Sequence, residues 1–193
     1  MSIKVGINGF GRMGRLTLRA AWGESTISFV QINDPAGDPA TLAHLLNFDS
    51  VHGRWNHEAK ADGDALVIDG LRIPVTRNKE LAATDWSGCD VVIEASGKFR
   101  KPDVLQPYLD QGVKRVVVTA PIKSAGTLDI VMGVNHGRFD PAVHRIGAVQ
   151  YPGLDELLQE RCLGVRRDQQ HLEGDGRRPW HTDRQVRHLP LQA

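Results

Sequence analysis

The chain has 193 residues, a formal net charge of +1 at pH 7 and two cysteines. A chain of this length forms one ordinary domain, or one domain with part of another, and its near-neutral charge argues against nucleic acid or a membrane surface as a partner. Cys89 and Cys162 are too few and too far apart for a disulfide framework or a metal site.

Residues 5–15, VGINGFGRMGR, predict a strand, a glycine-rich turn and the start of a helix. Gly9, Gly11 and Gly14 have the spacing of a dinucleotide-binding turn: the first permits a tight turn, the second lets the backbone approach a pyrophosphate, and the third lets the helix pack on the strand. The helix would direct free N–H groups and its positive end at the anion. Such turns also occur wherever the backbone needs positive φ, so the motif alone is weak.

A second apolar strand, residues 29–33, ends at Asp34. An acid at this place binds the ribose hydroxyls of an adenosine and repels a 2′-phosphate, which favours NAD over NADP. The alternative is that Asp34 is only a turn or cap residue before residues 35–37. Asp34 and the glycine turn together favour the cofactor interpretation.

The next elements are a helix at 39–46, with Asp38 or Thr41 as its cap, and an irregular stretch at 47–55. His52 in that stretch is interpreted as a loop hydrogen-bonding residue rather than a catalytic one. Two apolar runs then flank Asp69-Gly70, a dipeptide that favours a two-residue hairpin.

Further strands are predicted at 91–93 and at 129–135, a strand with its exit loop at 113–121, and a helix at 104–109. Strands rich in Val and Ile that alternate with helices predict an α/β fold with a doubly wound, mostly parallel sheet and an inserted hairpin. From about residue 151 onwards we expect irregular or weakly helical structure.

The chain resembles the amino-terminal, NAD-binding half of the glyceraldehyde-3-phosphate dehydrogenase family, which has a Rossmann-type sheet. The matching pieces follow one another at family spacing over roughly residues 1–146. Residues 31–37 and 45–48 are closer to bacterial forms found beside arsenate-export genes. The segments that carry the resemblance are VGINGFGR at 5–12, ND at 33–34, DSVHG at 49–53, EASGKF at 94–99, TAP at 119–121 and VMGVN at 131–135.

The resemblance implies NAD as the cofactor and assigns its contacts. Backbone N–H groups of the turn would bind the pyrophosphate, Asp34 the adenosine ribose, and Thr119 would approach the nicotinamide. Arg77 would lie at the adenine end, its alternative being a solvated surface charge. The implied cofactor-binding residues are Asn8, Gly9, Phe10, Gly11, Arg12, Met13, Asp34, Arg77, Ser96, Gly97, Phe99 and Thr119.

The family oxidises a small phosphorylated aldehyde through a cysteine thiohemiacetal, passes a hydride to NAD and releases an acyl phosphate. Its cysteine stands in an Ala-Ser-Cys-Thr-Thr-Asn-Cys run a few residues after the segment that matches residues 140–145. Residues 147–152 of this chain, GAVQYP, contain no cysteine, and Cys162 has no matching flank. We therefore assign no catalytic residue and no metal ligand.

Residues 147–193 are predicted to be a tail outside the family pattern, with the catalytic domain absent. Its part from 151 to 193 has seven Arg and seven acidic residues but no Lys and no Ile. It is interpreted as an ordinary polar tail, a basic interaction arm, or translation of the gene in a shifted reading frame. The seven acidic residues cancel the charge of the seven Arg, which argues against a phosphate-binding role for a basic arm.

Three functions remain open. The chain is an NAD-dependent phosphorylating aldehyde dehydrogenase, a non-catalytic NAD-binding module, or a non-functional truncation product. The family forms tetramers, but much of the contact surface lies in the half this chain lacks, so that assembly is not carried over. No membrane span is predicted and residues 1–4 lead directly into a strand, so we expect a cytoplasmic protein.

Overall fold

The computed structural model describes residues 2–122, 124, 127–131 and 134–150. The predicted tail from 151, including Cys162, lies outside these residues, as do Met132 and Gly133. The helices are α1 (Arg12–Ala21), α2 (Pro39–Asn47) and α3 (Pro102–Asp110), with short 3-10 turns at Leu81–Ala83 and His136–Arg138. The strands are β1 (Ile3–Asn8), β2 (Ile27–Asn33), β3 (Phe48–Asp49), β4 (Gly53–Arg54), β5 (Ala59–Asp62), β6 (Ala65–Ile68), β7 (Leu71–Thr76), β8 (Val91–Glu94), β9 (Arg115–Val118), β10 (Leu128–Val131) and β11 (Ile146–Gln150).

One sheet has the strand order β10-β11-β9-β8-β1-β2-β7-β6-β5. All neighbours from β10 to β7 are parallel, whereas β7, β6 and β5 are antiparallel. The chain leaves β1 towards β2 on one side and later returns to β8 on the other side. The carboxyl ends of β1 and β8 therefore border the crevice in which open α/β sheets bind ligands.

Apolar side chains cover both faces of the sheet. Val91 and Ile93 of β8 belong to a buried cluster with α1 and α2, while Val92 between them belongs to a second cluster with α3. Adjacent residues of a strand point to opposite faces, so nearly continuous Val and Ile runs are what a strand covered on both sides requires. The predicted doubly wound α/β fold is confirmed.

Local sequence signals account for the helix starts and the hairpin. Asp38 is the α2 cap, because its carboxylate accepts a hydrogen bond from the Thr41 N–H at 2.8 Å. Asp69 and Gly70 both have positive φ, 51° and 83°, as the tightest two-residue hairpin requires. The inserted antiparallel pair is confirmed, and β5 adds a third strand to it.

Three details differ from the sequence prediction. The stretch at 47–55 contains the small hairpin β3–β4, in which the His52 ring lies 3.1 Å from the Asp49 carboxylate, as a loop hydrogen bond. The strand predicted at 129–135 ends at Val131, and Asn135 is not part of it: its side-chain oxygen accepts the Val131 N–H at 2.7 Å, and its own N–H donates to the Val131 carbonyl at 3.1 Å. The unpredicted β11 lies between β9 and β10 and continues the sheet through Gln150, past the predicted boundary after residue 146.

Candidate cofactor site

The glycine turn lies at the carboxyl end of β1 and opens directly into α1. Gly9 has φ +89°, and a Cβ there would lie 2.4 Å from the Ser96 backbone nitrogen. A Cβ on Gly14 would lie 2.3 Å from the Gly9 carbonyl oxygen, so α1 packs tightly on the turn. Gly11 has nothing within 4 Å on its open side. The geometry of the three glycines is therefore compatible with the separate roles that the spacing predicts.

Among the residues that the structure describes, no side chain caps the amino end of α1. Gly11 is its N-terminal cap without any side-chain capping hydrogen bond, and the first turn contains no acidic residue. The N–H groups of a first helical turn have no partner within the helix. Arg12 and Met13, the first two residues of α1, therefore present N–H groups and the positive end of the helix dipole to the crevice.

Asp34 lies directly beside the glycine turn. Its carboxylate accepts the Phe10 N–H at 2.7 Å through one oxygen and the Ala36 N–H at 2.8 Å through the other. A carboxylate has about four lone-pair sites, so both oxygens keep capacity for a further donor. Asp34 thus joins the end of β2 to the turn after β1. It is therefore not only a turn residue for the segment that follows it.

The remaining predicted contacts follow β8 and β9. The Ser96 N–H and hydroxyl both donate to one carboxylate oxygen of Glu94. Gly97 has φ +72° and is exposed, while the half-buried Phe99 packs against the cluster around α3. The Thr119 N–H donates to the Glu94 carbonyl at 3.0 Å. These residues therefore line the edge of the sheet where β8 and β9 end.

Arg77 lies apart from the turn, at the end of β7, and is exposed. The pKa of the Asp38 carboxyl is held below its usual range mainly by the Thr41 backbone N–H, with a smaller contribution from the Arg77 charge. The Asp34 N–H donates to the carbonyl of Thr76, the residue before Arg77, at 2.9 Å, so Arg77 lies on the Asp34 side of the crevice. Its predicted role at the adenine end is compatible with that location.

Arg12 and Arg15 place positive charge around the turn. The Arg12 guanidinium lies 3.4 Å from the Asp49 carboxylate, and Arg15 donates to the Phe10 carbonyl at 2.8 Å. Hydrogen bonds from the backbone of His52 and Val51 hold the pKa of Asp49 well below its usual range. Asp49 therefore stays ionised, and the β3–β4 hairpin is tied electrostatically to the start of α1.

A chain of polar side chains lies under the crevice, and sequence reasoning did not identify it. We define the polar chain as Ser96, Glu94, Asn8, Asn33 and Asn78. Asn8, Asn33 and Glu94 are each at most 3% exposed. The links are Asn78 N–H to Asn33 Oδ1 (2.9 Å), Asn33 Nδ2 to Asn8 Oδ1 (2.8 Å), Asn8 Nδ2 to Glu94 Oε2 (2.7 Å) and Ser96 N–H to Glu94 Oε1 (2.9 Å).

One sequence feature could have indicated the polar chain: each of the three apolar strands ends in a polar residue. Asn8 ends β1, Asn33 ends β2 and Glu94 ends β8. The carboxyl ends of neighbouring parallel strands meet at one edge, so these residues are close in space. Asn8, which was predicted to contact the cofactor, uses both ends of its amide within the polar chain.

The site fits NAD on the structure's own geometry. The turn leaves open space at Gly11, the first turn of α1 offers uncapped N–H groups, and Asp34 is fixed beside both. An anion suits the helix end, and a pair of hydroxyls suits the carboxylate. The carboxylate also disfavours a phosphate group at the same place.

Cys89 is buried just before the amino end of β8, beside Trp86 and Gly6, and is expected to be unreactive. Burial, assisted by the charges of Asp90 and Asp85, raises the pKa of its thiol to about 12. Only about one thiol in 10,000 is then ionised at pH 8, and the thiolate is the reactive form. We expect iodoacetamide at pH 8 to alkylate Cys89 at least about 100 times more slowly in the native chain than in the denatured chain. Peptide mass spectrometry measures this, and equal rates would contradict the burial.

The described residues contain neither a metal-binding cluster nor a membrane-spanning helix. Within residues 2–122, 124, 127–131 and 134–150, no group of three or more His, Cys, Asp or Glu is placed to hold a metal ion. No helix in the same part of the chain has the length and apolar character needed to cross a membrane.

Comparison with known proteins shows which family the chain resembles. Residues 3–102 match the family described as glyceraldehyde 3-phosphate dehydrogenase, NAD binding domain. The chain is 48% identical over 148 residues to glyceraldehyde-3-phosphate dehydrogenase 3 of Nostoc sp., covering 76% of this chain and 44% of that protein. Over the same length it is 43% identical to glyceraldehyde-3-phosphate dehydrogenase of Geobacillus stearothermophilus, again covering 76% and 44%. The chain thus spans under half the length of these relatives.

A longer alignment reaches into the predicted tail. Glyceraldehyde-3-phosphate dehydrogenase of Wickerhamomyces ciferrii is 33% identical over 201 residues, which cover 95% of this chain and 60% of that protein. This coverage necessarily includes part of residues 147–193. The match over more than half of the chain, with the glycine turn and Asp34 in place, shows that the chain belongs to the NAD-binding domain family of glyceraldehyde 3-phosphate dehydrogenase.

Proposed function

We propose that this chain binds NAD in the crevice at the carboxyl ends of β1, β2 and β8 and does not itself oxidise an aldehyde. The observation that carries the proposal is the 2.7 Å hydrogen bond from the Phe10 N–H to the Asp34 carboxylate. It joins the two sequence features that bind the two ends of an adenosine diphosphate group, the glycine turn and the acid after β2.

Different parts of NAD are proposed to contact different segments along the crevice. N–H groups of Gly11, Arg12 and Met13 bind the pyrophosphate, and Asp34 binds the adenosine ribose. Arg77 borders the adenine end, and the nicotinamide end is bordered by the residues that follow β8 and β9, which are Ser96, Gly97, Phe99 and Thr119. When bound, NAD supplies a hydride acceptor. The chain's own contribution is to bind and orient it.

We propose that the chain does not oxidise an aldehyde because of the positions of its cysteines. In the family the nucleophile follows the segment corresponding to residues 140–145, and residues 147–152 here contain no cysteine. Cys89 is buried, with a thiol pKa raised to about 12, which removes it as a nucleophile at neutral pH. We therefore propose that this chain does not oxidise glyceraldehyde 3-phosphate by itself.

We also propose that the NAD-binding domain comprises residues 1–146 extended by β11, with the tail outside it. The cytoplasm is the proposed compartment, since the buried Cys89 is a free thiol and the sequence has only one other cysteine. The arsenate-associated type remains a proposal for the subfamily.

Two measurements on the purified chain test the function. Isothermal titration calorimetry should show NAD binding, with weaker binding of NADP because of Asp34. Absorbance of NADH should show no turnover when NAD, glyceraldehyde 3-phosphate and inorganic phosphate are supplied together. Turnover would contradict the non-catalytic part of the proposal, and a flat NAD titration would contradict the binding part.

A further inference from the structure

The three segments that are proposed to contact NAD are each adjacent to a member of the polar chain. Gly9 follows Asn8, Asp34 follows Asn33, and Gly97 follows Ser96. These segments follow three different strands, β1, β2 and β8, and are far apart in the sequence, so local chain geometry does not set their relative positions. The polar chain is therefore placed to hold them in register.

The fit between two of the segments is very close. A Cβ added at Gly9 would lie 2.4 Å from the Ser96 nitrogen and 2.5 Å from the Ser96 Cα. Glu94 holds both sides of this contact, because Oε2 accepts from Asn8 and Oε1 accepts from Ser96. A small movement of either segment would open or block the turn, so the anchoring of Glu94 sets the shape of the site.

The direction of the hydrogen bonds explains why a carboxylate stands at this place. Both ends of the polar chain are backbone N–H groups, those of Asn78 and Ser96, and both can only donate. An amide side chain accepts at one end and donates at the other, so Asn33 and Asn8 pass the direction on unchanged. Because the polar chain has a donor at each end and the amides between them keep the direction of donation, one member must accept hydrogen bonds from both sides. Glu94 is that group.

Amide rotation cannot relieve this requirement. Asn33 is fixed because its Oδ1 accepts the Asn78 N–H and its Nδ2 donates to the Asn78 carbonyl, both at 2.9 Å. Its Nδ2 also fixes Asn8 with Oδ1 towards Asn33 and Nδ2 towards Glu94. Within the described part of the chain, the Glu94 carboxylate accepts four hydrogen bonds, all from uncharged donors, and the fourth comes from the Tyr108 hydroxyl at 2.6 Å.

We propose that Glu94 is a positioning residue for NAD binding, whose carboxylate, as the one double acceptor of the polar chain, holds the Gly9 turn in register with Ser96 and Asp34. This rests on the proposed function for its connection to NAD. Glu94 acts through Asn8 and Ser96 and does not itself contact the cofactor.

The test variant is Glu94→Gln, which keeps the size of the side chain and removes the double acceptor. The new amide must point its NH₂ at either Asn8 Nδ2 or the Ser96 N–H, so two donors face each other. We expect amide hydrogen exchange of residues 8–11 and 95–98 to rise about tenfold or more without any cofactor present. The Kd for NAD should rise by about tenfold or more, measured well below the unfolding midpoint.

A second substitution should restore the direction of the bonds. In Asn8→Asp with Glu94→Gln, the carboxylate at position 8 accepts from Asn33 and from the new amide, whose oxygen accepts the Ser96 N–H. We expect exchange in residues 8–11 and 95–98 to return to within about threefold of the wild-type rate. The control is Tyr108→Phe, which removes a donor to the same carboxylate but leaves the polar chain intact. It should leave exchange in both segments and the Kd for NAD within about threefold of wild type.

The outcomes separate this inference from the proposed function. Unchanged exchange at 8–11 and 95–98 in Glu94→Gln would overturn the positioning role, whatever the result with NAD. An equal rise at residues 59–68, on the far edge of the sheet, would also overturn it, since Glu94 would then support the whole fold. The expected exchange pattern in a wild-type chain that fails to bind NAD would instead overturn the proposed function.

Discussion

Replacing Gly9 with alanine is expected to lower the free energy of unfolding by about 3 kcal/mol and to abolish measurable NAD binding. The backbone at Gly9 has φ +89°, and the new Cβ would lie 2.4 Å from the Ser96 nitrogen and 2.7 Å from the Ala95 carbonyl carbon. These are backbone atoms that cannot rotate away, so β1 and β8 would have to separate at the edge where NAD binds.

The matched control is Gly88→Ala, because a Cβ at Gly88 meets nothing within 4 Å and its φ is not positive. Urea denaturation followed by circular dichroism should place this variant within about 0.5 kcal/mol of wild type. A Gly9→Ala chain as stable as the control would show that the turn and Ser96 are not in close contact.

Replacing Asp34 with alanine is expected to weaken NAD binding by about 30-fold or more, because hydrogen bonds to a charged group contribute about 1.5–3 kcal/mol each. The variant loses the ribose contact and also frees the Phe10 and Ala36 N–H groups that the carboxylate accepts. Binding of NADP should fall much less, since the charge that repels its 2′-phosphate is removed as well. Calorimetric titration with both cofactors measures the two changes.

Asp38→Ala is the control for Asp34, four residues further along the same loop. Asp38 caps α2 through the Thr41 N–H, so its loss should cost about 1 kcal/mol of stability and leave NAD affinity within about twofold. If Asp34→Ala weakened NAD and NADP equally, Asp34 would only support the turn. Specificity for NAD would then need another origin.

Local chain geometry explains which parts of the structure could be predicted. The positive φ at Gly9 and Gly70 and the Asp38 cap are properties of a few consecutive residues, and each has a residue type that suits it. Asp34 could be assigned because its distance from the glycine turn follows from one strand-helix-strand unit. The fold class and the cofactor could be predicted from these features.

Features that depend on pairing between distant segments escaped prediction. Glu94 and Asn8 stand 86 residues apart, and Asn33 and Asn78 stand 45 apart, so no local pattern shows that they meet. β11 contains Gly147 and Ala148, which lower its β-propensity, and it is a strand because β9 and β10 enclose it. Long-range contacts override local preference in both cases.

Thermal unfolding with and without NAD tests most directly that this chain by itself forms the NAD site. A ligand that binds only the folded chain, at about 100 times its Kd, adds about 2.7 kcal/mol of stability. For a chain of this size the unfolding midpoint should rise by about 5 °C or more, and NADP at the same concentration should give a smaller rise. An unchanged midpoint at saturating NAD, in a chain that unfolds cooperatively, would contradict the account.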